Sequence, residues 1–181
     1  KNDVQWVDTP AALRAVSEEL RATEVVGLDV ETALDFGTLC LVQIATRKRT
    51  FLIDPLAVGD LKPIIDVLSG PVPVKVIHNA RFERRVLATL GIALDGVFDT
   101  LEASRRARGP DALGGHSLKI VCERELGLSL DKSEQTSNWS RRPLDADQLN
   151  YAALDAEVLL ALHERFRYVG AAPEEGGTDG Q

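Results

Sequence analysis

Val25-Val26-Gly27-Leu28-Asp29-Val30-Glu31-Thr32 is an apolar, β-branched run interrupted by two carboxylates at alternate positions. Such a run predicts a strand, and side chains two residues apart in a strand point the same way, so Asp29 and Glu31 share one face. Two acids held side by side in apolar surroundings repel each other, and a divalent cation removes that repulsion best. The pair is therefore half of a candidate metal site, with the other half to be found downstream.

Outward from this strand the chain alternates between strands and helices. Thr9 and Pro10 predict the cap and first turn of a helix from Pro10 to about Ala22, with Leu13, Val16 and Leu20 turned inward. After a bend at Phe36-Gly37, Leu39 to Thr46 and Thr50 to Ile53 predict a hairpin closed by the polar turn Arg47-Lys48-Arg49. Asp54-Pro55 ends it. A short helix from Asp60 to Leu68, a buried strand from Val74 to Ile77 and a helix from about Ala80 to Leu90 follow. Gly96-Val97-Phe98 predicts a last edge strand, Asp99 caps another helix, and Ser117 caps Leu118 to Leu126, which Gly127 stops. Ser129 to Pro143 is a polar loop. Asp145 with Gln148 three residues on starts a helix running to about Arg167. The expected fold class is α/β, a mixed five-stranded sheet with helices packed on it.

A chain of 181 residues, 44% apolar and without an internal repeat, forms a single domain able to bury roughly 70% of its unfolded surface. That domain is placed at residues 1–168, followed by an acidic, disordered tail at 169–181. The last helix supplies the missing acid. Tyr151 and Asp155 are one turn apart and share a face, which Val158 and Leu162 continue into the core. If this helix lies on the first strand, Asp155 meets Asp29 and Glu31, and Glu83 from the earlier helix closes the cluster.

These residues carry a resemblance. Asp29-Val30-Glu31, then His78-Asn79-Ala80-Arg81-Phe82-Glu83, then Tyr151-Ala152-Ala153-Leu154-Asp155 are similar, in order and spacing, to the three motifs of ribonuclease D-type 3′-to-5′ exonucleases of the DEDD superfamily, in its tyrosine-containing branch. The loop Asp131 to Leu144 resembles the one that precedes the third motif. The resemblance implies a ribonuclease H-like fold and two-metal hydrolysis with Mg²⁺ or Mn²⁺. In it Asp29, Glu31, Glu83 and Asp155 are the metal ligands, and Tyr151 orients the attacking water. It implies substrate contacts at His78, Asn79, Lys132, Gln135 and Arg141, although His78 taken alone reads as a strand-end residue bonded to backbone. One position departs from the pattern: Glu83 stands where the family has aspartate, which keeps the charge and lengthens the reach. A catalytically silent nucleic-acid-binding or scaffolding module with the same fold is the competing reading.

The formal charge of −7 would disfavour a nucleic-acid partner if it were spread evenly. The three acids of the tail and the four candidate ligands account for all of it. Arginine outnumbers lysine fifteen to six, in clusters at Arg47/Arg49, Arg81/Arg84/Arg85, Arg105/Arg106/Arg108 and Arg141/Arg142. Such clusters suit phosphate contacts, although any single cluster reads better as an ordinary solvated face. The implied partner is the 3′ end of single-stranded DNA or RNA, with no feature that separates ribose from deoxyribose. The extra helical nucleic-acid-binding domains of ribonuclease D are not in this sequence, so the expectation is a preference for short oligonucleotides, a homo-oligomer, or a larger multidomain protein that supplies the grip. Cys40 and Cys122 lie in apolar runs outside any ligand spacing, and no signal-peptide pattern or bilayer-length apolar run is present. A cytoplasmic location without a membrane partner is the expectation.

Overall fold

In the computed structural model the pleat of one strand divides the molecule into two sides. Residues 2–35 and 37–171 are described. Strand β2 (Val25–Thr32) turns Val26, Leu28 and Val30 into the larger apolar core. Its other face presents Gly27, Asp29 and Glu31, as the two-residue period requires.

Around β2 lies a six-stranded sheet in the order β1-β4-β3-β2-β5-β6. The strands are β1 (Asp3–Val7), β3 (Leu39–Ala45), β4 (Arg49–Ile53), β5 (Val74–Ile77) and β6 (Val97–Asp99). β3 runs antiparallel to both β2 and β4, and the remaining pairs, β1 with β4, β2 with β5 and β5 with β6, are parallel. The sheet thus has one strand more than the five expected. β1 alternates polar and apolar only over the four residues Asp3 to Trp6, and it is held by pairing in register with β4, Val7 opposite Ile53.

The helices are α1 (Pro10–Arg21), α2 (Pro55–Val58), α3 (Ile65–Ser69), α4 (Ala80–Ala88), α5 (Thr100–Arg108), α6 (Leu118–Leu126) and α7 (Ala146–Ala171). Thr9 caps α1 by accepting the Ala12 N–H at 3.1 Å, and Ser117 caps α6 through the Ile120 N–H at 3.3 Å. Asp145 and Gln148 form the expected reciprocal capping box, with bonds of 2.8 and 3.0 Å. The helix expected over Asp60 to Leu68 is instead a 3₁₀ turn at Lys62–Ile64 leading into α3, because Pro63 cannot donate to an α-helical ladder. Asp54 does more than end β4, since its carboxylate caps the one-turn α2. α7 runs beyond Arg167 to Ala171, so the tail placed at 169–181 begins as helix, and 172–181 lie outside the described residues.

The larger core packs side chains of α1, α3 and α4 on one face of the sheet. On the other face a second cluster joins Cys40, Leu41 and Leu52 to Trp139, Tyr151 and Ala152, and a third ties α5, α6 and the distal half of α7 together. α7 can approach β2 closely because Gly27 has no side chain: a Cβ there would stand 2.2 Å from the carbonyl oxygen of Ala156. The residue next to that contact is Asp155.

Candidate active site

Three carboxylates from two distant segments meet where α7 crosses β2. Asp29, Glu31 and Asp155 each offer an oxygen, and the three oxygens lie within 4.8 Å of one another. Glu83, in the first turn of α4, is buried and brings its carboxyl to hydrogen-bonding reach of Asp29. Its Oε2 is buried without a partner. The strand ends in a register shift between Glu31 and Thr32, an irregularity of the kind that re-aims side chains beside sites.

Burial and mutual repulsion act together on these acids. Burial first, then the charge of Asp155, pushes the Asp29 carboxyl up to about 7. Burial, then Asp29 and Asp155, raises Glu31 to about 9, and burial, then Asp29, raises Glu83 to about 9. Asp155 is also raised by burial, against the pull of Lys132, whose Nζ donates to its Oδ2 at 3.0 Å. The Tyr151 hydroxyl reaches Asp155, and burial followed by the neighbouring acids raises its pKa, which keeps it a phenol. Its ring stacks at a tilt on Trp139, centroids 5.9 Å apart, and the Lys132 ammonium lies 5.3 Å from the ring centre. Four crowded carboxylates with an orphaned oxygen form a hard, all-oxygen donor set that fits divalent cations.

A groove of about 970 Å³ leads away from the acids past His78, Asn79 and Phe82 to Ser117 and Lys119 at the start of α6. His78 is engaged on both sides: its Nε2 donates to the His116 carbonyl and its Nδ1 pairs with the Thr100 hydroxyl, each at 2.8 Å. Burial lowers its pKa and favours the neutral ring, so it pins β5 to the loop before α6. Asn79 adopts a left-handed conformation (φ 63°), and the start of α4 is held by Asp99, which accepts the N–H groups of Asn79 and Ala80 at 2.9 and 3.0 Å. Lys132 and Gln135 line the groove from the loop before α7.

Arg141 does not join them. It is exposed and absent from the groove wall, whereas Arg142 turns inward, forks onto Asp54 at 2.9 and 3.0 Å and donates to the Cys40 carbonyl at 2.6 Å. Members of the other arginine clusters are engaged within the fold. Arg108 forks onto Glu125, Arg84 holds the Leu94 carbonyl, Arg47 pairs with Glu164, and among the described residues Arg105 is the arginine on the groove wall. Phe82 and Lys119 on the groove wall and Gln43 beside Glu31 are site residues to which the motifs assign no role, and a lone amide within the apolar run of β3 is the sequence signal for the last.

A model of the 3′-5′ exonuclease family matches residues 4–170. The chain belongs to that family. This exonuclease domain is 33% identical over 167 residues to the exosome complex exonuclease RRP6 of Saccharomyces cerevisiae, covering 90% of the chain and 22% of the relative. It is 35% identical over 158 residues to ribonuclease D of Nitrobacter hamburgensis, covering 84% of the chain and 41% of the relative. Among solved structures, the catalytic core of RRP6 from Trypanosoma brucei matches with a TM-score of 0.82 at 30% identity, over 92% of this chain and 46% of that one. The exonuclease domain thus spans less than half the length of each of these relatives. No helix among its described residues is long and apolar enough to cross a membrane.

Proposed function

We propose that this chain removes nucleotides from the 3′ end of single-stranded RNA or DNA by metal-dependent hydrolysis, in the manner of the tyrosine-containing branch of its family. The observation that carries the proposal is the convergence of Asp29, Glu31 and Asp155 within 4.8 Å, with Glu83 against Asp29. These four carboxylates would hold two Mg²⁺ or Mn²⁺ ions, which when bound supply a water activated near neutral pH and charge stabilisation for the leaving oxygen. The chain's own residues do the rest. Tyr151, a neutral phenol beside Asp155, orients the attacking water through its hydroxyl. Lys132 brings a positive charge to the groove wall beside Asp155, where it attracts the phosphate of the terminal nucleotide. Asn79 and Gln135, both on the groove wall, offer amides to the strand.

The groove reads backbone and shape, so little base preference follows. RRP6 is by its name an exosome component, and a chain that covers so little of such relatives takes its wider grip on substrate from flanking domains or from further copies of itself. Two free, buried cysteines support a reducing, cytoplasmic setting. The test is direct. A 5′-labelled single strand, RNA and DNA in parallel, is incubated with Mg²⁺ or Mn²⁺ and either the wild type or Asp29→Asn. Shortening from the 3′ end by the wild type alone is expected, and binding without shortening in both ions refutes the proposal.

A further inference from the structure

β3 is buried from Leu39 to Ala45, and Gln43 is its one amide or charged side chain. None of Gln43 is exposed. The register sets it directly opposite Asp29, so both point to the face covered by α7. From there its Nε2 donates to Glu31 Oε1 at 3.1 Å, diagonally across the strand pair. Its Oε1 is buried with no partner.

A half-satisfied amide in an apolar strand is unfavourable compared with an apolar side chain of the same length, so packing does not account for Gln43. The group it serves is Glu31. A glutamate has three side-chain torsions and is crowded here by Asp29 and Asp155, so repulsion alone would swing its carboxylate away from them. The bond from Gln43 opposes that swing while the carboxylate keeps an oxygen within 4.8 Å of both neighbours. Carboxylates that ligate metals depend on such outer hydrogen bonds for their orientation.

We propose that Gln43 is a positioning residue for the cation site, fixing the Glu31 carboxylate in its ligating orientation and thereby setting both affinity and ion preference. The inference rests on the reading of the four acids as a metal site. Mg²⁺ demands near-ideal octahedral geometry, so a loosened Glu31 weakens Mg²⁺ more than Mn²⁺. The test is calorimetric titration of Mn²⁺ and of Mg²⁺ into the full chain, with the melting temperature of the metal-free protein alongside, for wild type, Gln43→Met and Gln43→Asn. The methionine keeps the length without a donor, and the asparagine keeps the amide but falls one methylene short. Metal-free Gln43→Met is expected to melt at or above the wild-type temperature, while both variants bind Mn²⁺ about tenfold more weakly and lose more for Mg²⁺. If the methionine variant fails to fold, the asparagine variant decides. A folded variant with wild-type affinity for both ions overturns the role of Gln43 and leaves the metal site standing. A wild type that binds neither ion overturns the metal site and this inference together.

Discussion

Gly27→Ala adds one methyl group, and its consequence can be worked from a single contact. The new Cβ would lie 2.2 Å from the Ala156 carbonyl oxygen, whereas ordinary contact begins at 3.4 Å, so α7 must retreat from β2 by about 1.2 Å. The obstacle is main chain, and no rotamer change relieves it. Overpacking of this kind costs about 1–3 kcal/mol, which leaves a domain of this size folded with its melting temperature lowered by several degrees. The site suffers more. Asp155 is the neighbour of Ala156 and Tyr151 is one turn earlier, so both ride on the displaced segment, and a misplacement of ~1 Å at reacting groups costs about 100-fold in rate. The assay is 3′-end shortening of a labelled strand at a temperature where both proteins are folded by circular dichroism. The double variant Gly27→Ala/Ala156→Gly should remain impaired, because it removes a side chain and leaves the offending carbonyl. A folded Gly27→Ala protein with wild-type turnover would refute the claim that this close approach sets the site.

Stability should depend on pH in the direction opposite to ordinary salt-bridged acids. In the metal-free chain Asp29 is held at about 7 and Glu31 and Glu83 at about 9, above their unfolded values, so the native state binds more protons and loses stability as pH rises from 6 to 9. Scanning calorimetry should show the melting temperature falling over that range, with a shallower fall in Glu31→Gln; a rise in the wild type would contradict the burial argument. Glu83→Asp shortens the reach by about 1.5 Å and should keep or raise Mg²⁺-supported cleavage. Complete loss would show that the longer side chain is a required ligand here. Tyr151→Phe removes the hydroxyl beside Asp155 while keeping the ring on Trp139, and kcat should fall roughly 100-fold with KM little changed. A raised KM at unchanged kcat would move the tyrosine out of the reaction.

Much of this molecule is legible along its chain. Alternation in β2 puts Asp29 and Glu31 on one face before any tertiary contact is known, and the helical spacing of Tyr151 and Asp155 does the same for α7, because local backbone geometry fixes both periods. The caps at Thr9, Ser117 and Asp145 are local hydrogen bonds and equally readable. What tertiary structure alone decided are pairings between distant segments. β1 becomes a strand through β4, Arg142 rather than Arg141 turns inward because Asp54 and the Cys40 carbonyl await it, and His78 is taken up by Thr100 and His116. The juxtaposition of Gln43 with Glu31 depends on the β2–β3 register, and that of Asp155 with both acids depends on a glycine that lets a helix lie against the sheet. Periodicity tells which way a side chain points, and only packing tells what it meets there.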